Sequence, residues 1–305
     1  MLTLDTIEYQ GWKNCLRLSN GQIQLIITTD VGPRIIHLGW TDSNDNLMFV
    51  NPETAGRTGD PEWNLYGGHR LWHAPEIKPR TYVPDNTPVQ HEWDGATLTI
   101  TADTEALTGL QKVVEITLDA AAPKVSLRHR LLNRGQWEVS AAPWALTVLA
   151  AGGTAIMPQE KFIPFPDALL PARPLVLWHY TNMADARFEW ARDYIALQQD
   201  PAAKAPAKFG AQNAAGWGAY ALNGTALLKL AALQPGATYP DYGCNWELYV
   251  NHLFLELETL GPLAPIAAGS EVTHDETWHL LKVKGTDNAE LFEELRDAAG
   301  RLATG

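Results

Sequence analysis

The chain has 305 residues, of which 46% are hydrophobic and 19% charged, a balance that is typical of globular proteins and excludes a mainly disordered chain. Acidic residues exceed basic ones by 35 − 23 = 12, and the basic residues are scattered singly, so we expect no nucleic-acid partner. No stretch approaches the roughly 20 apolar residues of a membrane span, and the first 15 residues lack a continuous apolar run, so we expect a cytoplasmic protein with no membrane partner.

Alternation of polar and apolar residues with a period of two predicts β-strands along most of the chain. Clear examples are residues 96–102, 112–118 and 247–258, and turn dipeptides such as Asp94-Gly95 separate them. Almost no helical pattern lies between neighbouring strands. The sequence therefore predicts an all-β fold, a large antiparallel β-sandwich, rather than alternating β-α units.

Arg34, which follows a turn, is the first candidate side chain for binding. Its guanidinium could pair with a ligand oxygen or with a structural carboxylate.

Residues 66–76, Tyr-Gly-Gly-His-Arg-Leu-Trp-His-Ala-Pro-Glu, contain an unusual density of side chains that form sites. In an extended strand His69 and His73 point to one face, whereas Arg70 and Trp72 point to the other. One strand cannot present all four to one ligand unless a bulge intervenes. We interpret the segment as part of a functional site, and the alternative is a surface loop with a buried tryptophan.

Metal and cofactor sites receive little support from this segment. His69, His73 and Glu76 have the spacing of metal ligands on a helix, but the preceding glycines and Pro75 argue against a helix there. The sequence has no GxGxxG, Walker or GxSxG motif. We therefore expect no metal and no cofactor.

Two stretches in the second half of the chain have ambiguous roles. Residues 200–218 are rich in Ala, Lys, Pro and Gly and are interpreted as a loop or a boundary. Because strands continue on both sides, we predict a single domain over residues 1–305. In residues 239–247, Asn245 and Trp246 beside a glycine suit either a sugar platform or a turn that leads into a strand.

Glu256 and Glu258 lie two residues apart on a predicted strand and therefore face the same side. On an outer surface they would be ordinary solvated carboxylates. If that side lines a cleft, a glutamate near the strand end could act as a proton-transfer base.

One helix is predicted at the end of the chain. Residues 287–290 offer cap residues, and apolar side chains from Leu291 to Leu302 then recur at helical spacing. We expect this helix to pack on the sandwich.

These features together resemble the galactose mutarotase-like superfamily, the aldose 1-epimerases and their relatives. Those proteins combine a large β-sandwich, a Gly-Gly segment with a nearby basic residue, and a late strand that ends in the catalytic glutamate. Residues 67–72 are similar to the first motif, and residues 257–262 with 268–277 are similar to the stretch around and after the second. The pair GGHRLWHAPE and ELETLGPL resembles an uncharacterised branch of the superfamily.

The resemblance implies roles for individual residues. Glu258 matches the general base that takes the proton of the anomeric hydroxyl, and Arg70 matches the basic residue near the sugar hydroxyls. The epimerases carry a general-acid histidine on a central strand, but residues 142–147 contain none, so His69 or His73 would supply that proton. The predicted substrate-binding residues are Arg34, Arg70, Trp72, Glu76, Trp144, Asn245 and Trp246.

Three functions follow as hypotheses. The first is a carbohydrate-active enzyme of the aldose 1-epimerase type. The alternatives are a non-catalytic carbohydrate-binding protein, and a lyase or isomerase that acts on an acidic or modified sugar in the same cleft. In each case the expected partner is a small-molecule sugar or sugar derivative, and formation of a homodimer stays open.

Overall fold

The computed structural model describes residues 1–303. Within this range the strands, in chain order, are β1 (Thr3–Tyr9), β2 (Trp12–Ser19), β3 (Ile23–Thr28), β4 (Arg34–Trp40), β5 (Gly68–Ala74), β6 (Gln90–Trp93), β7 (Thr97–Thr101), β8 (Leu110–Leu118), β9 (Lys124–Asn133), β10 (Val139–Leu149), β11 (Thr154–Pro158), β12 (Leu175–Leu177), β13 (Phe188–Trp190), β14 (Tyr194–Gln198), β15 (Ala207–Ala211), β16 (Trp217–Leu222), β17 (Thr225–Leu230), β18 (Trp246–Val250), β19 (Leu255–Leu260), β20 (Ala264–Ile266) and β21 (Glu271–Lys282). The helices are a 3-10 turn (Arg80–Tyr82), α1 (Pro240–Gly243) and α2 (Asn288–Leu302).

The strands form two large antiparallel sheets. Sheet one has the order β1-β2-β3-β4-β5-β10-β19-β18-β15-β12, and β20 adds to β10 outside this path. Sheet two has the order β13-β14-β11-β16-β17-β21-β9-β8-β7-β6. The architecture confirms the predicted all-β sandwich with a C-terminal helix.

The main core lies between the two sheets, and side-chain alternation decides what enters it. On β19, Leu255 and Leu257 are fully buried members of the main hydrophobic cluster, whereas the intervening Glu256 lines a cleft outside the core. Burial of each leucine side chain contributes about 1.5–3 kcal/mol to the stability of the fold. The strand therefore has one face for stability and one for chemistry.

The interpretation of residues 200–218 as a loop or boundary is wrong in its centre. Residues Ala207–Ala211 form β15, which pairs with β18 and β12 inside sheet one. The segment Ala-Lys-Phe-Gly-Ala is short, and its small residues give a weak strand pattern. Pairing with neighbouring strands, rather than local propensity, fixes its conformation.

Helix α2 packs on sheet two as predicted. The Asp287 carboxylate caps it by accepting a hydrogen bond from the Glu290 backbone N–H at 2.9 Å. Leu291, Phe292 and Leu295 join a second cluster with residues of β14, β16 and β17. Among residues 1–303, no helix has the length and apolar character that crossing a membrane requires.

Candidate functional site

Three adjacent strands at the centre of sheet one bring the two predicted motifs together. Strand β10 pairs with β5 on one side and with β19 on the other. In this register Arg70 and Glu258 both stand opposite Leu146, so they lie two strands apart in one row across the sheet. The Gly-Gly segment and the late glutamate, distant in sequence, therefore share one face.

The glycine pair at the start of β5 is required by the packing of its backbone. Gly67 and Gly68 have φ angles of +94° and +68°. A Cβ on Gly67 would stand 2.1 Å from the Phe49 carbonyl oxygen, and one on Gly68 would stand 2.3 Å from that of Ile35. The glycines thus admit close approach of neighbouring backbone and set the position of Arg70 and Trp72.

A cavity of about 320 Å³ opens on this face of sheet one. Its lining combines aromatic rings with charged groups, a composition suited to stacking on a sugar ring while bonding its hydroxyls. The lining residues are Trp63, Leu65, Arg70, Trp72, Glu76, Tyr82, Trp144, Leu146, Tyr180, Pro206, Lys208, Tyr249, Phe254 and Glu256. We call this cavity the cleft.

Arg70 occupies one end of the cleft. Both of its terminal nitrogens donate to Glu256 Oε1 at 3.2 Å, and its guanidinium lies 4.4 Å from the Trp72 ring and 5.7 Å from the Trp63 ring. Burial raises the pKa of Glu256, and the charge of Arg70 partly offsets this effect. The aromatic faces and the carboxylate together hold the guanidinium in place.

Glu258 is fully buried directly beneath the cleft lining. Its Oε2 accepts hydrogen bonds from Trp144 Nε1 at 2.8 Å and from Lys208 Nζ at 2.9 Å. Its Oε1 has no hydrogen-bond partner. The donors of both bonds line the cleft, whereas Glu258 itself does not.

Lys208, the second residue of β15, links Glu258 to a second buried carboxyl group. Its Nζ lies 2.7 Å from Glu247 Oε2 and 4.7 Å from each of the rings of Trp144 and Trp178. Burial alone would lower the pKa of Lys208, but Glu247 and Glu258 raise it well above its usual value. Without substrate, the group is therefore an ammonium ion at neutral pH.

The structure corrects the prediction that His69 supplies the acid. His69 faces the core between the sheets, where its ring lies 4.8 Å from that of Trp278 on sheet two. Its Nδ1 bonds Thr147 Oγ1 at 2.9 Å and its Nε2 bonds His129 Nε2 at 2.7 Å. Because β5 alternates, the side chain that follows, Arg70, enters the cleft instead.

His73 is corrected for the same reason. It is fully buried on the inner face of β5, its ring nitrogens have no hydrogen-bond partner, and its Nε2 lies 3.8 Å from Glu105 Oε2. Burial and the charge of Lys112 lower its pKa to about 3, so the imidazole is neutral. Neither predicted histidine lines the cleft.

Three predicted binding residues also have structural partners outside the cleft. Arg34 bonds the Asp85 carboxylate at 2.7 Å and the Gly67 carbonyl oxygen at 3.1 Å. Asn245 exchanges two hydrogen bonds with the backbone of Asn213. Trp246 is fully buried in the main core. The other four, Arg70, Trp72, Glu76 and Trp144, line the cleft.

Sequence reasoning missed Lys208, Glu247 and Trp63. Lys208 and Glu247 look like ordinary polar positions, because only the sheet order places β18 beside β19 and β15 beside β18. Trp63 comes from the loop that precedes β5. The excess of tryptophan, twelve in all, was the available signal.

A buried polar network joins the inner faces of the two sheets. Glu276 bonds Lys229 Nζ at 2.7 Å and Trp278 Nε1 at 2.8 Å, and it accepts a short hydrogen bond from Thr259 Oγ1. Lys229 also donates to Thr147 Oγ1 at 3.0 Å. The charges of this network are thus paired behind the strands that form the cleft floor.

One group of residues in this network has the spacing of metal ligands. Atoms of His69, His129 and Glu276 all lie within 4.8 Å of one another. The two ring nitrogens bond each other, the other nitrogen of His129 bonds the His274 carbonyl oxygen at 3.0 Å, and the carboxylate is engaged as described. A metal would have to displace these hydrogen bonds and the Lys229 ammonium, so the donor set does not fit one.

Comparisons with known proteins identify the fold. No protein-family model and no curated protein sequence matches the chain. A TPR-domain containing protein from Parabacteroides distasonis matches in structure with a TM-score of 0.59 and 15% identity over 90% of this chain, which spans only 48% of that protein. A galactose mutarotase-like protein from Lactobacillus casei matches with a TM-score of 0.56 and 10% identity, covering 92% of this chain and 100% of that one.

A galactose 1-epimerase from Lactobacillus acidophilus matches with a TM-score of 0.51 and 10% identity, covering 93% of this chain and 99% of that one. At identities this low, structural similarity establishes the fold but not the activity. The chain therefore has the galactose mutarotase-like fold.

Proposed function

We propose that the protein is a carbohydrate-active enzyme of the aldose 1-epimerase type and that Glu258 is its general base. The observation that supports this most is the position of Glu258, whose unpartnered Oε1 lies beneath a cleft lined by Trp72 and Trp144. The aromatic rings offer faces for a sugar ring, and Arg70 and Lys208 offer donors to its hydroxyls.

The chemistry requires one proton to leave the anomeric hydroxyl while another reaches the ring oxygen. Glu258 accepts hydrogen bonds from Trp144 and Lys208, which hold its orientation. Access to a sugar hydroxyl requires the Trp144 and Lys208 side chains to admit the substrate beside Oε1.

Polarimetry with freshly dissolved α-glucose and α-galactose tests this proposal. The wild type should accelerate the change in optical rotation, and Glu258→Gln should reduce kcat by about 10²–10⁴-fold because the amide cannot accept the proton. Equal rates for the two proteins at the level of buffer alone would remove the epimerase assignment.

Glu256→Gln provides the matched control. Glu256 is on the same strand and the same face, two residues from Glu258, and it bonds Arg70 rather than Lys208. We expect this variant to change KM, because Arg70 loses the charge of its carboxylate partner, while kcat stays close to that of the wild type.

A non-catalytic carbohydrate-binding protein is the second candidate. It is favoured by the pairing of both cleft cations, Arg70 with Glu256 and Lys208 with Glu258, and by the lack of a histidine in the cleft lining formed by described residues. It predicts saturable sugar binding by calorimetry that survives Glu258→Gln, with no turnover in either protein. The same pairing leaves no unneutralised cation for an anionic sugar, which weighs against the lyase hypothesis.

A further inference from the structure

Two buried carboxyl groups share one ammonium at the floor of the cleft. Lys208 Nζ lies 2.7 Å from Glu247 Oε2 and 2.9 Å from Glu258 Oε2, and neither glutamate side chain is exposed to solvent. With both carboxyls ionised, the trio would carry an uncompensated negative charge in a buried position. A buried charge of this kind is costly, and binding one more proton removes it.

The remaining groups around the trio do not supply the missing positive charge. Asp241 of α1 lies against Glu247 and adds a further acidic group. The other titratable groups that act on the trio include Glu256 and the side chains of Cys244, Tyr180 and Tyr249, none of which is a cation. Lys229 also acts on Glu258, but its ammonium is paired with Glu276 at 2.7 Å. Asp241 and Tyr242 have left-handed φ angles of +49° and +60°, a conformation that costs energy in residues other than glycine. The backbone therefore holds an acid beside Glu247 despite the strain.

A second buried pair in the same protein shows the contrasting case. Glu276 forms the ion pair with the Lys229 ammonium and also accepts from Thr259 and Trp278. Burial by itself would raise its pKa, but Lys229 and the neighbouring histidines lower it, and the group is ionised. One ammonium matched to one carboxylate needs no additional proton, whereas one ammonium shared by two carboxyls does.

The environments of the two glutamates decide which one takes the proton. Glu258 accepts a directed hydrogen bond from Trp144 Nε1 as well as one from Lys208 Nζ, so two donors meet its Oε2. Neither oxygen of Glu247 has a well-directed hydrogen bond, although Oε2 is close to Lys208. Burial, Glu258 and Asp241 all raise the pKa of Glu247, and Lys208 only partly offsets them.

We propose that Glu247 is a protonated carboxylic acid at neutral pH. It supplies, through Lys208, the proton for the ring oxygen that no histidine of the cleft lining supplies. This inference rests on the proposed function for its catalytic part. Lys208, which lines the cleft, is the group that would touch the sugar. Glu247, which does not line it, acts through Lys208 as a positioning residue.

The proton transfers balance. Glu258 accepts the proton of the anomeric hydroxyl as the bond between the anomeric carbon and the ring oxygen breaks and the carbonyl forms. Lys208 gives a proton to the ring oxygen, and Glu247 returns one to the Lys208 amine, which leaves Glu247 ionised. Ring closure on the other face of the carbonyl reverses each transfer and restores the starting state.

NMR of the glutamate side-chain carboxyl carbons tests the protonation state without any substrate. The Glu247 resonance is identified by its disappearance in Glu247→Gln, and that of Glu258 by its disappearance in Glu258→Gln. At neutral pH we expect the chemical shift of a protonated acid for Glu247 and that of a carboxylate for Glu258. A carboxylate shift for Glu247 would overturn the proposal.

Kinetics separate this proposal from the proposed function. If the wild type has epimerase activity, Glu247→Gln should lower kcat by about 10²-fold and shift its pH profile, because the amide holds Lys208 but cannot recharge it. An unchanged kcat and pH profile would overturn the catalytic role of Glu247. If the wild type has no activity while Glu247 is protonated, the proposed function fails and the assignment of the proton stands.

Discussion

At the scale of single residues, the buried network behind the cleft has one consistent proton arrangement. The His274 carbonyl oxygen can only accept, so His129 donates to it through Nδ1 and accepts at Nε2 from His69. His69 Nδ1 then accepts from Thr147, whose oxygen accepts from Lys229. Each donor in this chain of hydrogen bonds therefore has an acceptor. The network holds β5 and β10 in place from their core side.

Removing the cation of this network should be strongly destabilising. Lys229→Met leaves the Glu276 carboxylate buried without its counter-ion, and we expect a loss of about 3–5 kcal/mol in the free energy of unfolding. Chemical denaturation measures this loss. The double variant Lys229→Met/Glu276→Gln should recover part of it, and a double variant less stable than the single one would contradict the explanation.

The buried histidines predict how stability depends on pH. Burial lowers the pKa of His69, His129 and His274, the last to about 4 from 6.5. As the pH falls below about 6.5, the unfolded chain binds protons that the folded chain does not. The free energy of unfolding therefore decreases, by up to about 1.4 kcal/mol per pH unit for each histidine.

Urea unfolding at neutral pH and near pH 5 checks this dependence. His274→Gln, whose amide can still donate to Thr259, should flatten the slope. His91→Gln, which replaces an exposed histidine, is the control. Equal slopes for the wild type and His274→Gln would contradict the assignment.

At the scale of elements, strand alternation was predictable and strand neighbourhood was not. The period of two correctly separated His69 and His73 from Arg70 and Trp72. It could not show that the face with the histidines is the core, because both faces of β5 are buried and carry polar groups. Lys208 was out of reach, since its role depends on the pairing of β15 with β18.

Helix α2 offers a test of a local signal that the sequence did contain. Asp287→Ala removes the side-chain acceptor of the Glu290 N–H, and we expect a loss of about 1 kcal/mol in the free energy of unfolding. Asp297→Ala, at an exposed position of the same helix, is the control and should change stability by less than about 0.5 kcal/mol. Thermal or chemical unfolding distinguishes the two, and similar losses for both would contradict the capping role.

At the scale of the whole molecule, the two-sheet architecture divides stability from chemistry. Sheet two and the inner face of sheet one hold the main core. The outer face of sheet one, at β5, β10, β19, β18 and β15, carries the aromatic rings, the two paired cations and the carboxylates of the candidate site. Residues 70 and 258 are far apart in sequence, but only one strand, β10, lies between their strands in the sheet.

A crystal structure of the protein soaked with galactose tests the central claim most directly. We predict the sugar ring in the cleft, packed against Trp72 or Trp144, with its anomeric hydroxyl about 3 Å from Glu258. A sugar that binds elsewhere on the molecule, or that lies in the cleft with its anomeric carbon turned away from Glu258 while Trp144 and Lys208 stay closed over it, would contradict the account.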